Sequence, residues 1–154
     1  MKTIPELLAK ASTFEGLNAA QLELIGGCGR LVRVDENKYL MQEGDPADTF
    51  FLIRSGTVAL EIHGAGRGAL VIETLDPGDT VGWSWLFPPY RSELDARTLV
   101  PCGLVAIDGE CLRGKCEDDH ELGYQLMRRF AANMIDRLQA ARLQLLDIYG
   151  HALT

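Results

Sequence analysis

The spacing of hydrophobic positions changes twice along the chain and divides it into three parts. Residues 1–27 carry apolar side chains at helical intervals, with Asn18 as the predicted N-cap of a second short helix. Residues 28–108 alternate apolar and polar positions in short runs, which predicts strands. Residues 109–154 return to helical spacing. The pattern therefore predicts a mainly β protein with flanking helices, all in one domain.

The central part is predicted to contain about eight short strands. Val58, Leu60 and Ile62 alternate with polar or small residues and should form one buried face. Turn residues separate the runs at short, fairly regular intervals, as at 44–46 and 76–79. This punctuation favours a sandwich, barrel or jelly roll over a parallel α/β sheet.

The C-terminal part predicts one long helix over residues 118–149, with Gly150 as its end. A continuous apolar stripe follows it: Leu122, Leu126, Phe130, Met134, Leu138, Ala141, Leu145 and Ile148. Thirty helical residues measure about 45 Å, more than a small β domain covers. We expect the distal half to pair with a second copy, giving a homodimer through residues 118–149; the alternative is packing wholly against its own body.

Composition limits the classes of partner. The 154 residues are 47% hydrophobic and carry a net charge of −7, and the basic residues are scattered, which argues against direct nucleic-acid binding. No apolar run approaches the roughly 18 residues of a membrane-spanning helix. The N-terminus has no secretory signal pattern, so we expect a cytoplasmic protein without membrane contact.

Candidate chemistry is sparse. The sequence has no nucleophile, metalloprotease or P-loop motif, so no catalytic residue is assigned and an enzyme is not expected. Four cysteines lack a CxxC pair and are expected to be unpaired thiols, with no metal site: Cys28, Cys102, Cys111 and Cys116. Three histidines are expected at the surface: His63, His120 and His151.

Three motifs in order carry a resemblance to a known family. They are the segments 43–48 (EGDPAD), 51–58 (FLIRSGTV) and 76–82 (DPGDTVG). The chain resembles cyclic nucleotide-binding domains over residues 17–149, and most of all the sensor half of the catabolite-activator (Crp/Fnr-like) regulators. The resemblance implies an eight-stranded jelly roll, the β-roll, over residues 28–108, short N-terminal helices and a long dimerisation helix.

The resemblance also implies a ligand site in residues 82–98, here named the cassette. Gly82 falls on the family's glycine, but Trp83 stands where the family has the Glu that binds the ribose hydroxyl. Ser92 stands where the family has the Arg that pairs with the cyclic phosphate, and Arg91 is one residue away. The cassette is therefore atypical.

Three hypotheses follow for the cassette. It binds a cyclic nucleotide, with Arg91 or Arg97 supplying the charge and Ser84 a hydroxyl contact. It binds another small anionic or amphipathic ligand against an aromatic wall that includes Trp83 and Trp85. Or its tryptophans fill it and it binds nothing. Apart from such a ligand, no cofactor is expected.

The sequence thus predicts a small-molecule-sensing regulatory module that acts as a homodimer on an unidentified protein partner. The helix-turn-helix domain of Crp-type regulators is not expected in these 154 residues, so the module should lack its own DNA-binding output. The alternative is a non-sensing structural or interaction subunit of a cytosolic assembly with a degenerate nucleotide pocket. A redox or haem sensor is a third class.

Overall fold

The computed structural model describes residues 2–64, 66 and 68–153, with side chains up to residue 150. Eight antiparallel strands form two four-stranded sheets, ordered β1-β8-β3-β6 and β2-β7-β4-β5. The strands are β1 (Gly29–Val34), β2 (Tyr39–Met41), β3 (Thr49–Ser55), β4 (Val58–Gly64), β5 (Gly68–Leu75), β6 (Thr80–Val81), β7 (Asp95–Thr98) and β8 (Cys102–Asp108). The predicted eight-stranded jelly roll with flanking helices is confirmed.

Two short helices precede the sheets, α1 (Ile4–Ala9) and α2 (Ala19–Gly26), with a 3-10 turn over Ser12–Phe14 between them. Asn18 caps α2 as predicted: its side chain accepts from the Gln21 amide, while the Gln21 side chain accepts from the Asn18 amide. Both helices supply apolar side chains to the core beneath the first sheet.

The predicted alternation of buried and exposed side chains in β4 is not observed, because Val58, Ala59, Leu60 and Glu61 are all buried. Val58 and Leu60 are buried, but Ile62 is 39% exposed and Glu61 is 1% exposed. The register of β4 against β5 shifts between Leu60 and Glu61, where the ladder has a bulge. Such an irregularity disrupts the ladder and bends the strand, so a strict period of two does not carry through it. Glu61 is buried beneath an arginine rather than facing solvent.

The helical C-terminal part is divided at Asp119, where the backbone leaves helical geometry. Helix α3 spans Gly109–Asp118 and α4 spans His120–Leu153, so the long helix begins two residues later than predicted. It also continues through Gly150, and the prediction that this glycine ends it is wrong. No helix in the described part of the chain is long and apolar enough to cross a membrane.

Helix α4 has two unlike halves. Its first half buries Leu122, Leu126 and Phe130 completely in the core of the domain. In its second half, Arg137 pairs with Glu73, and Gln144 donates to the Ile72 carbonyl of β5 at 2.9 Å. From residue 135 onward, seven large apolar side chains are 51–66% exposed: Ile135, Leu138, Leu143, Leu145, Leu146, Ile148 and Tyr149.

The cysteine prediction is wrong for two of the four residues. Cys28, just before β1, and Cys111, in the first turn of α3, form a disulfide with a Cα–Cα distance of 5.8 Å. The two lie 83 positions apart, and only the fold brings them together. Cys102 and Cys116 are free; burial is the main reason that the pKa of the Cys116 thiol rises to about 11.

Candidate functional site

The cassette and the two sheets border a narrow apolar cleft that is open to solvent on one side, and the roughly 350 Å³ of atom-free space there includes that solvent. Side chains of β2, β3 and β4 and of the β2–β3 loop form one side, and cassette residues form the other. The lining residues are Met41, Ala47, Thr49, Leu60, Gly82, Trp83, Ser84, Trp85, Ser92, Glu93 and Leu94. The structure thus brings together five of the seven residues assigned to the site from the sequence, and places Arg91 and Arg97 outside the lining.

Gly82 begins the cassette because the chain turns sharply after β6. Its φ is +101°, a conformation that residues with a side chain rarely adopt. A Cβ atom at this position would also lie 3.0 Å from Cε of Met41, which lines the cleft. Glycine therefore lets the backbone of the cassette lie directly against β2.

Trp85 anchors the cassette to the core. It lies in a 3-10 turn over Ser84–Leu86 and is 1% exposed. Its ring stacks on Phe50 at 4.9 Å between centroids and meets Phe130 of α4 edge to face at 5.3 Å. Its buried Nε1 has no hydrogen-bond partner in the described part of the chain. Trp85 is thus mainly a core residue with one edge at the cleft, while the half-buried Trp83 forms the wall.

Arg113 of α3 holds the cassette from its other side. Its Nη1 donates to the Trp85 carbonyl at 2.5 Å, and its guanidinium lies 4.1 Å from the centre of the Tyr90 ring. Tyr90 follows the cis Pro88–Pro89 bond and has a φ of +57°. Helix α3 therefore fixes both the turn that carries Trp85 and the loop that leads to Arg91.

Ser92 lies in the cleft wall, and hydrogen bonds of its backbone fix it there. The Ser92 amide donates to the Asp45 carbonyl at 2.9 Å, and the Gly44 amide donates to the Ser92 carbonyl at 2.8 Å. The neighbouring Arg91 is not part of the cleft lining, and its Nη1 donates to the Gly44 carbonyl at 3.2 Å. Arg91 lines an adjoining hollow, partly open to solvent, that shares Trp83, Ser84 and Glu93 with the cleft and that Met134 of α4 also borders.

Arg97 is occupied elsewhere. Its Nε and Nη2 donate to the two carboxylate oxygens of Glu61 at 3.1 and 2.8 Å, and its Nη1 donates to Asn37 at 3.1 Å. The hydrogen bonds to Glu61 raise the pKa of the Arg97 guanidinium. Next to it, the buried Asp95 carboxylate accepts from the Glu43 amide at 2.7 Å and also contacts Nδ1 of His63. Arg97 thus neutralises a buried carboxylate.

The histidines take no part in the cleft. His63 is 44% exposed despite its contact with Asp95, and His120 is exposed, so both lie at the surface as expected. The side chain of His151 lies outside the described residues. Among the residues described, no group of three His, Cys, Asp or Glu side chains is placed to hold a metal ion.

The charge of the cleft is opposite to that of an anion-binding site. Of the described residues in its lining, Glu93 is the only one that ionises, and no lysine or arginine contributes. Its other polar side-chain groups are the hydroxyls of Thr49, Ser84 and Ser92 and the indole N–H groups of Trp83 and Trp85. The cleft therefore offers apolar surface, hydroxyl and indole N–H groups and one carboxylate.

Sequence reasoning missed the part of the lining that other strands supply. Met41, Ala47, Thr49 and Leu60 come from β2, the following loop, β3 and β4. Ala47 lies in the first family motif, which could have indicated it. The other three read as ordinary strand residues, and Glu93 reads as a surface charge between two arginines.

The domain is a β-roll of two sheets. A cleft lies beside the turn over Ser84–Leu86, and a long helix follows at the C-terminus. This arrangement is that of a sensor-type domain. The chain belongs to the cyclic nucleotide-binding domain family, whose model matches residues 31–119. A CRP-like cAMP-activated global transcriptional regulator of Mycobacterium tuberculosis is 25% identical over 129 residues, which are 84% of this chain and 58% of the regulator. This chain thus spans less than two thirds of that curated relative.

Solved structures show the same fold. A candidate cyclic nucleotide-binding protein from Geobacter metallireducens superposes with a TM-score of 0.78 at 28% identity, covering 90% of this chain and 99% of that one. The Thermus thermophilus catabolite activator protein superposes with a TM-score of 0.71 at 21% identity, covering 89% of this chain and 62% of that one. The resemblance predicted from the motifs is confirmed at the level of family and fold.

Proposed function

We propose that the chain is a small-molecule-sensing regulatory module whose ligand occupies the cleft at the cassette. The ligand is small, amphipathic and without a negative charge. The family's ligand site supports the location, and the lining of the cleft supports the chemical class. The single observation that carries the proposal is an apolar cleft at that site in which, among the described lining residues, the only ionisable side chain is a carboxylate.

The charges favour this class over a cyclic nucleotide. A phosphate bound in a partly dry cleft needs a cation or several aligned donors, and a charge-assisted hydrogen bond contributes about 1.5–3 kcal/mol. Arg97 is committed to Glu61, and Arg91 bonds to the Gly44 carbonyl outside the lining. Glu93 would repel a phosphate. An uncharged molecule needs no cationic partner in the cleft and is not repelled by Glu93.

Trp85 supplies the connection from the cleft to the rest of the domain. One edge of its ring borders the cleft, and the other packs against Phe130 in the buried half of α4. A ligand that moves Trp83 and Trp85 therefore changes the packing of α4. Differential binding to two positions of this helix is what sensing requires.

The proposed output is a homodimer formed through residues 118–149. The exposed apolar side chains of the second half of α4 suit pairing with a second copy of the same helix. A change in α4 then alters a surface that a protein partner reads. A protein is proposed rather than nucleic acid because the net charge of −7 repels phosphate backbones. Absence of catalysis and a cytoplasmic location stay predictions.

A second candidate function is a structural or interaction subunit that senses nothing. The complete burial of Trp85 favours it, because the cassette already fills part of the site with its own side chain. The two candidates differ in one observable. Only a sensor binds a small molecule in the cleft.

Paired probes of equal ring size test the proposal. 1-Aminonaphthalene is neutral at pH 7 and 1-naphthoate is an anion, and both report binding by fluorescence. We expect the neutral probe to bind saturably and the anion at least about threefold more weakly, because a carboxylate at the cleft mouth repels it across partly screened solvent. Ser84→Phe, which fills the cleft, should abolish binding, whereas Ser12→Phe, at an exposed position outside the lining, should not.

Two outcomes would overturn the proposal. If neither probe binds, or if Ser84→Phe leaves binding unchanged, the cleft is not a ligand site and the structural candidate is favoured. If the anion binds more tightly than the neutral probe, the proposed ligand class is wrong.

A further inference from the structure

The Cys28–Cys111 disulfide lies at the surface, on the far side of α3 from the cassette. Cys111 is exposed and Cys28 is 8% exposed. A groove of about 620 Å³ runs along the bond, and Arg30 and Asp108 contribute to its walls. A small thiol reagent can therefore reach the sulfur of Cys111 without unfolding of the domain.

The opposite side of the same helix touches the cassette directly. A Cβ atom on Gly109, the first residue of α3, would lie 2.8 Å from Cβ of Trp85, so only glycine allows this contact. Two residues after Cys111, Arg113 donates to the Trp85 carbonyl and covers the Tyr90 ring. The first turn and a half of α3 thus joins the disulfide to the wall of the cleft.

We propose that the Cys28–Cys111 disulfide is a reversible redox modification site, reduced by small dithiols, that sets the position of Trp85 through α3. The bond fixes the first turn of α3 to the segment before β1, together with a hydrogen bond from the amide of Asp108, the N-cap of α3, to the Cys28 carbonyl at 2.9 Å. Once the disulfide is reduced, the first turn of α3 moves away from that segment, and the contacts of Gly109 and Arg113 with the cassette loosen.

The exchange balances in two steps. A thiolate of the dithiol attacks Sγ of Cys111, the Sγ–Sγ bond breaks, and Cys28 leaves as a thiolate that takes a proton from water. The second thiol of the reagent loses its proton and attacks the reagent sulfur of the mixed disulfide, which expels Cys111 as a thiolate. The helix N-terminus stabilises that thiolate. The dithiol becomes a cyclic disulfide, and the protein holds a thiol at Cys28 and a thiolate at Cys111, which becomes a second thiol when it takes a proton from water.

Other contacts keep α3 in place after reduction. Leu112 is completely buried in the core, and Nζ of Lys115 donates to the Leu24 carbonyl of α2 at 2.6 Å. The expected change is therefore local to the first turn of α3 and the cassette. The inference goes beyond the proposed function, and its test needs no ligand.

The two tryptophans of the chain, Trp83 and Trp85, both lie in the cassette, so tryptophan fluorescence reports a change in the cassette. In Trp83→Phe, all tryptophan emission comes from Trp85. This variant is treated with dithiothreitol under native conditions, alkylated and mapped by mass spectrometry. We expect label on Cys111 and about a twofold increase in acrylamide quenching of Trp85, with the far-UV circular dichroism unchanged. Reoxidation of unalkylated protein should reverse the change in quenching.

The matched control carries Cys28→Ser and Cys111→Ser in the Trp83→Phe background. Its quenching should equal that of the reduced protein and should not respond to dithiothreitol, which excludes Cys102 and Cys116 as the source. Label on Cys111 only after denaturation would show that the disulfide is purely structural. Label on Cys111 without a change in Trp85 quenching would show that α3 does not couple it to the cassette. Either result overturns the proposal.

Discussion

The ion pair between Arg97 and Glu61 gives a sharp prediction, because the sequence offered Arg97 as a ligand-binding residue. The carboxylate of Glu61 is 1% exposed and accepts two hydrogen bonds from the Arg97 guanidinium, which is itself 24% exposed. Arg97→Met keeps most of the aliphatic stem and removes both donors. Glu61 is then left as a buried carboxylate without its charged partner.

The expected loss follows from the burial of the two groups. Removing one partner of a fully buried ion pair costs about 3–5 kcal/mol. Because Arg97 is partly exposed, water can reach part of the space that the guanidinium leaves, which lowers the expected cost to about 2–3 kcal/mol. With an m value near 2 kcal/mol/M in urea, the midpoint should fall by about 1–1.5 M.

Urea unfolding, monitored by circular dichroism, measures this loss of stability. Two further variants serve as controls. Arg91→Met removes an exposed guanidinium that bonds only to the Gly44 carbonyl, so it should cost less than about 0.5 kcal/mol. The double variant Arg97→Met with Glu61→Met removes the stranded carboxylate and should recover most of the loss. An Arg97→Met protein as stable as Arg91→Met would refute the assignment of Arg97 to Glu61.

Three further predictions follow from other parts of the domain. Leu146→Asp, at a 66% exposed position in the apolar surface of α4, should convert the proposed dimer to a monomer in light scattering, whereas Leu31→Asp on β1 should not. Equal masses for the two variants would contradict the proposed interface. Gly82→Ala should destabilise the domain by about 1–2 kcal/mol in thermal unfolding, because φ there is +101°; an unchanged midpoint would contradict it. Alkylation of Cys116 should titrate near pH 11 rather than 9.0, and the raised pKa means that folding stability falls as pH rises from 9 to 11.

Local patterns were enough to predict most of the fold. The apolar spacing predicted about eight strands and the long helix, and Asn18 marked the start of α2, because each depends on residues close in sequence. The burial of Glu61 and the exposure of Ile62 could not be predicted from the sequence, because the β-bulge that causes them depends on the pairing with the neighbouring strand. The disulfide was missed for the same reason, since its cysteines are 83 positions apart.

The residues of the candidate site that lie in the cassette could be predicted from the sequence, but the contacts of the cassette with other parts of the chain could not. Gly82, Trp83, Ser84 and Ser92 were found by counting along one continuous motif, and all four line the cleft. The direction in which an arginine side chain points cannot be predicted by counting along the sequence. Arg97 binds the carboxylate of Glu61, which is 36 positions away in the sequence. Arg91 binds the carbonyl of Gly44, which is 47 positions away.

The most direct test of the central claim is a calorimetric titration of the wild-type protein with cyclic AMP, beside the Ser92→Arg variant. We expect no saturable heat for the wild type up to about 1 mM, because no lysine or arginine is among the described residues that line the cleft. Ser92→Arg places a guanidinium in the wall and should gain binding by about tenfold or more. A wild-type dissociation constant of about 10 μM or tighter would contradict the account and identify the chain as a cyclic nucleotide sensor.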